Sequence, residues 1–223
     1  MEELYKSFQK APVMKSMQVY ERMKEELLSG EWKFGEKIFV NNLIEKFNVS
    51  RRPVMDALKL LHSNGFIEII PQSGCKVVDY SKKDVLDQLL LSSALESIAA
   101  ELAAKNHTSA EINSLCSYQE NVKKNLEKFN DKAYYFKYNR EVHAYIMLMT
   151  HSERVQNQSV QLWDLNDFYL LNSLDKLKFD IAESINEHDQ IITSIKERDA
   201  IKAKVLMEEH IRAYMEKLRE QLP

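Results

Sequence analysis

Two cysteines, four prolines and four glycines are few for 223 residues. Cys75 and Cys116 stand at unrelated spacing, so neither a disulfide framework nor a cysteine-based zinc site can be built from them, and a reducing interior is the expected home. Scarce Gly and Pro, with charged residues at 29%, argue against low-complexity segments and long disordered linkers. No uninterrupted apolar run approaches the roughly 18–20 residues that a bilayer span requires, and the N-terminus lacks the cationic start, apolar core and cleavage site of a signal peptide. The expectation is a cytoplasmic protein with no membrane partner. A polybasic tract is missing too: the formal net charge is −3, with a slight basic excess over residues 1–80 and an acidic excess beyond. Any binding to nucleic acid must therefore rest on locally placed charge.

What is present is pattern. The chain is long enough for two modest domains, and its character changes near residue 80. Val19, Tyr20, Met23, Leu27 and Leu28 repeat with helical period and Gly30 stops them, while Leu43, Ile44 and Phe47 mark a second short helix. In the third, Val54, Ala57, Leu58 and Leu61 fall at i, i+3, i+4 and i+7, which buries one stripe and turns Arg52, Met55, Asp56 and Lys59 outward. Ser50 can cap that helix, and Pro53 is tolerated in its first turn, where an N–H has no intrahelical partner. Asn64-Gly65 closes it. Phe66–Ile70 and Cys75–Val78 then read as two strands around the turn Pro71-Gln72-Ser73-Gly74.

From about residue 82 the pattern is helical throughout, near 82–105, 109–128, 131–150, 153–172, 177–197 and 199–221, with Asp199 placed to cap the last helix. The predicted fold is mostly α. An N-terminal arm (1–14) leads into a winged helix-turn-helix of three helices plus a β-hairpin (15–79), and a linker (80–86) leads into an all-α bundle (87–223).

These residues carry a resemblance. Leu28-Ser29-Gly30, Gly35-Glu36-Lys37-Ile38, Val49-Ser50-Arg51-Arg52-Pro53-Val54, Ala57-Leu58, Leu61, Gly65-Phe66 and Ser73–Val77 resemble the DNA-binding half of the GntR family of bacterial transcription regulators. Leu95-Glu96, Ala99-Ala100, Leu102-Ala103, Asn139, His143, Glu187-His188, Ile195, Arg198-Asp199, Ala203 and His210 resemble its FadR-like ligand-binding domain, FCD. The resemblance implies a homodimer on a palindromic double-stranded operator, which it releases or rearranges on when a small-molecule effector enters the helical domain. Asn41, Ser50, Arg51, Arg52, Met55, Ser73 and Gly74 match the family's DNA-contacting positions. Met55 stands where the family usually has an arginine, and Asn41 and Ser73 where it often has one, so the operator sequence does not carry over. Physically, Arg51 and Arg52 lie where a helix N-terminus points its N–H groups at phosphate, and an arginine can take guanine O6 and N7 together. Lys76 on the hairpin can reach a backbone phosphate.

Asn139 and His143 are i, i+4 neighbours on one helix face. His188 and His210 lie on consecutive helices whose turn, near Asp199, falls about midway between them, so antiparallel packing brings them to similar depth. Three imidazoles converging in a bundle can hold a divalent transition metal such as zinc or nickel, and the four residues match the FCD metal set. Asn139 replaces the family's usual aspartate with a neutral, weaker ligand. Ser92 stands where many members carry an arginine for the effector's carboxylate, which unsettles the organic-acid effector that the family implies. His62, His107 and His151 match nothing and are assigned to surface or local hydrogen bonding. The aromatic and Met-rich run Tyr134–Met149 suits a ligand pocket, a bundle core or a dimer surface equally. Two other readings of the histidines stand beside the regulator: a helical-domain metalloenzyme, against which no short metalloprotease motif or nucleophile elbow is present, and a metal-free regulator whose histidines only pack.

Overall fold

The computed structural model describes residues 14–70, 74–125, 132–171 and 180–221. The arm at residues 1–13 and the turn at Pro71, Gln72 and Ser73 lie outside the described residues. The chain divides into two units, Met1–Tyr80 with Asp167–Asn172, and Ser81–Asn166 with Ser173–Pro223.

The first unit opens with α1 (Lys15–Leu28), whose buried residues Val19, Tyr20, Met23 and Leu27 follow the predicted stripe. Gly30 ends it at φ +79°, a left-handed conformation that costs glycine least. After β1 (Lys37–Ile38) come α2 (Val40–Phe47) and α3 (Arg51–Ser63). Val54, Ala57, Leu58 and Leu61 are all buried on α3, as their spacing requires. Val54, Leu58 and Leu61 each contribute about 1.5–3 kcal/mol relative to exposure, enough to fix which face of this short helix is left outside. The hairpin is β2 (Ile67–Ile70) and β3 (Gly74–Val77), with Ile67 opposite Val77 and Ile70 opposite Gly74. The sheet has a third strand, in the order β1-β3-β2, because Lys37 and Ile38 pair with Lys76 and Cys75. Two residues are too short to show a period of two, and their partner is far along the chain, so the sequence reads there only as a turn. Phe168 is fully buried in this unit, edge-on to Phe34 and Phe66 at 5.2 and 5.5 Å.

The second unit is built from α4 (Lys82–Asn106), α5 (Ser109–Lys124), α6 (Lys132–Leu148), most of α7 (Glu153–Leu171), α8 (Ile181–Lys196) and α9 (Ala200–Gln221). Capping residues explain the starts. Ser81 with Asp84 and Thr108 with Glu111 form reciprocal capping boxes, Asp180 accepts from Glu183 N at 3.0 Å, and Asp199 accepts from Lys202 N at 3.0 Å. Leu115, Tyr138, Val142, Ile146, Ile191, Ile195 and Met207 form its core, each essentially without exposure. Helices α4 and α6 run parallel: Glu96 meets His143, and farther along both, Asn106 Nδ2 donates to Thr150 O at 2.9 Å. Within the Tyr134–Met149 run, Tyr135, Tyr138, Ile146, Met147 and Met149 are buried, whereas Tyr134 is exposed.

His107 corrects the surface assignment. It is buried, and its Nε2 bonds Ile195 O at 3.0 Å while its own carbonyl accepts from Arg198 at 2.9 Å. Both partners are distant in the chain, so no spacing could reveal them. His62 and His151 do make the local or surface contacts expected, with Ile67 O at 2.9 Å and Glu111 at 2.9 Å.

Candidate DNA interface and metal centre

In the first unit the exposed end of α3 carries the basic residues. Arg51 and Arg52 are exposed in its first turn, Met55 is half-buried one turn on, and Asp56 and Lys59 are exposed beyond. Ser50 holds the N-cap position in extended backbone, φ −72° and ψ 168°, without bonding its hydroxyl back to the helix. The first-turn N–H groups are thus not closed off by the Ser50 side chain, which leaves that cap position open to an anion. Arg52 Nε lies 4.0 Å from Asp56 and Lys59 Nζ 3.8 Å from it, separations at which exposed ion pairs are weak and easily exchanged for phosphate. Asn41 is exposed in the first turn of α2, and Gly74 is exposed at φ +106°. Lys76 faces Glu68 across the hairpin at 3.1 Å, so its charge is partly matched before any phosphate arrives. Ser73 lies outside the described residues.

In the second unit three histidines from three helices meet. His143 on α6, His188 on α8 and His210 on α9 are all buried, and their ligand atoms lie within 4.8 Å of one another. The Nε2 atoms face inward: His143 to His188 is 3.2 Å and His188 to His210 is 3.1 Å. Each ring is held from behind through Nδ1. His143 donates to Glu96, and His210 donates to Glu187 at 2.6 Å. His188 Nδ1 lies 2.9 Å from the Tyr138 hydroxyl, which itself donates to Gln119 Oε1 at 2.9 Å, and Gln119 Nε2 donates to Ile185 O at 3.0 Å. Because each Nδ1 carries the donated proton, three Nε2 lone pairs converge on one point. With those tautomers the lone pairs repel one another, and a cation placed among them would relieve that repulsion.

The spacing fits a metal ion. Tetrahedral nitrogen ligands at about 2.0–2.1 Å stand about 3.3 Å apart, and the observed separations lie just below that. Carboxylates and a tyrosine behind the imidazoles are also the outer partners that orient metal-bound histidines and raise their basicity. Burial pushes the His188 imidazole well below its ordinary range, with the neighbouring His210 and His143 adding to the shift; burial likewise lowers His210 against the opposing pull of Glu187. Both effects favour the neutral, ligating form. Asn139 is half-buried one turn before His143. Ser92 is buried on α4, and its hydroxyl accepts from Asn166 Nδ2 at 2.8 Å.

Sequence reasoning about chemistry passed over Glu96, Glu187, Tyr138 and Gln119. Glu187 is beside His188 in the chain yet serves His210, and Tyr138 lies 50 residues from the histidine it holds. Only the adjacency of Glu187 to His188, on a helix followed directly by the one that carries His210, offered a signal.

A winged helix-turn-helix unit with an arginine-bearing helix end, carried on the same chain as a helical unit with a tri-histidine centre, is the build of a DNA-binding regulator. The chain belongs to the GntR family: residues 15–77 match the bacterial regulatory proteins of the gntR family and residues 89–213 match the FCD domain. It is a transcription regulator of the FadR-like, FCD-containing subgroup. Among its relatives are an uncharacterized HTH-type transcriptional regulator, YdhC, of Bacillus subtilis, 26% identical over 84% of each chain, and the Exu regulon transcriptional regulator of Escherichia coli, 24% identical over 85% of this chain and 78% of that one. The fold is shared with Escherichia coli McbR/YncC, at a TM-score of 0.75 and 23% identity, covering 95% of this chain and 100% of the other. A GntR regulator from Rhodococcus shares it at a TM-score of 0.70 and 11% identity, covering 94% and 99%. No helix among the described residues is long and apolar enough to cross a membrane.

Proposed function

We propose that the protein is a homodimeric regulator that binds a palindromic operator through Ser50, Arg51, Arg52, Met55, Asn41, Ser73 and the hairpin residues Gly74 and Lys76. A small-molecule effector bound beside a divalent metal in the helical unit controls its affinity for that operator. The observation that carries the effector half is the convergence of three Nε2 atoms, each with its Nδ1 anchored, in a chain that also bears the winged unit. His143, His188 and His210 would hold the metal, with Asn139 the neighbouring amide; bound there, the metal supplies a Lewis-acidic point at which an oxygen of the effector can dock. Glu96, Glu187 and Tyr138 fix the imidazole tautomers, so the centre is assembled before metal arrives.

A two-fold dimer meets half-sites at fixed separation, so a change in how the winged units are held alters operator affinity. Such coupling is reciprocal. Elemental analysis of wild type and His188→Ala, with operator binding of both, tests the reading. About one divalent ion per chain in wild type and loss in the variant are expected. Equal metal content in the two proteins would sink the metal centre, and failure of the wild type to bind any operator recovered by in vitro selection would sink the regulator.

A further inference from the structure

One helical turn from the histidine centre, the second unit buries polar atoms that no group among the described residues satisfies. The turn before Glu96 on α4 carries Ser92 and Ser93, the turn before His143 on α6 carries Asn139 and Arg140, and α7 joins the two turns into one layer, with Asp164 at Arg140 and Asn166 at Ser92. Asn166 of α7 joins it by donating to Ser92 Oγ at 2.8 Å. Two atoms there have no hydrogen-bond partner among the described residues, Asn166 Oδ1 and Ser93 Oγ, although Asn166 is 9% exposed and Ser93 is 1% exposed. Buried polar groups of this kind call for a water or a ligand. The guanidinium of the same layer is already matched: Arg140 bonds Asp164 at 2.8 Å and lies 5.0 Å over the Trp163 ring.

We propose that the end of the effector lying against α4 is hydroxylated and uncharged, and that Asn166 with the Ser92–Ser93 pair is what recognises it. The proposal rests on the effector reading given above. A hydroxyl both donates and accepts, so it can satisfy the amide oxygen and a serine hydroxyl together. A carboxylate can only accept, and it would place a second negative charge near Asp164 while leaving Asn166 Oδ1 unpaired. Ser92 therefore does more than remove the family's arginine: with Asn166 it replaces a cationic subsite by an amide and hydroxyl one. A site built to bond a hydroxyl discriminates strongly against ligands that cannot return the bond.

The experiment is a thermal-shift screen of the metal-loaded full chain against two pools, one of short-chain alditols and aldonates and one of short-chain mono- and dicarboxylates without hydroxyls. The first pool is expected to raise the melting temperature and the second to leave it unchanged. Asn166→Leu should weaken the active compound at least about tenfold while metal content and operator affinity stay as in wild type. Ser92→Arg, where it folds, should turn the preference toward dicarboxylates. A second pool as effective as the first, no shift with either pool, or unchanged binding by Asn166→Leu would each overturn the proposal. Operator binding measured on the same samples separates the two readings: stabilisation by the first pool with no effect on DNA affinity keeps the ligand class and removes its regulatory role.

Discussion

Tyr138→Phe isolates the outer support of the histidine centre. Tyr138 is fully buried, and its oxygen stands 2.9 Å from both His188 Nδ1 and Gln119 Oε1. The substitution keeps the ring and opens no cavity on the scale of a lost methylene, so its effect is that of the hydroxyl. It leaves the His188 N–H and the Gln119 carbonyl without this partner where desolvation is costly, and a buried group so orphaned costs about 1–3 kcal/mol. The metal-free protein should lose that much stability in calorimetric unfolding. Metal affinity should fall as well, because a ligating imidazole that loses its outer hydrogen bond weakens metal binding about 10–100-fold, or about 1.4–2.7 kcal/mol. Competition against a chromophoric chelator near neutral pH reads that change directly. Gln119→Leu should give a smaller loss, and the double variant should fall short of the sum, since all three groups share one chain of bonds. Metal affinity indistinguishable from wild type in Tyr138→Phe would refute the reasoning, because His188 would then be oriented by something else.

Arg51→Ala should remove about 1–3 kcal/mol of operator binding or more, read by fluorescence anisotropy over a salt series, and unchanged affinity would take Arg51 off the DNA. Met55→Arg should shift preference toward a guanine-bearing half-site in an in vitro selection; an unaltered preference would mean that Met55 does not face the bases. Burial holds His188 and His210 below the ordinary imidazole range, so the unfolded chain takes up protons that the folded chain resists. Stability of the metal-free protein is therefore greatest above about pH 6.5 and falls as pH drops below it, and protons compete for the metal over the same range. Unfolding measured across that window with chelator present checks the sign: stability that rises on acidification would contradict it.

Much of this protein is written locally. The stripe Val54, Ala57, Leu58, Leu61 and the cap Asp199 act within one or two turns, so periodicity and residue type suffice to place α3 and the start of α9, whereas a helix read from residue 177 runs through Asp180, which caps α8. The three histidines were likewise legible, two of them because a symmetric pair of positions about a turn implies similar depth. By contrast, β1 exists only because Lys37 and Ile38 find Lys76 and Cys75, and two residues carry no pattern. His107 reads as a surface residue until Ile195 O is found beside it.

The sequence by itself determined the helices, the winged unit and the residues able to hold a metal, because those follow from interactions between near neighbours in the chain. Only the tertiary structure decided how the centre is held. Which carboxylate backs which imidazole, which nitrogen keeps its proton and which buried amide is left unpaired depend on groups tens of residues apart, and their energies are set by a desolvated interior that exists only once the helices have packed.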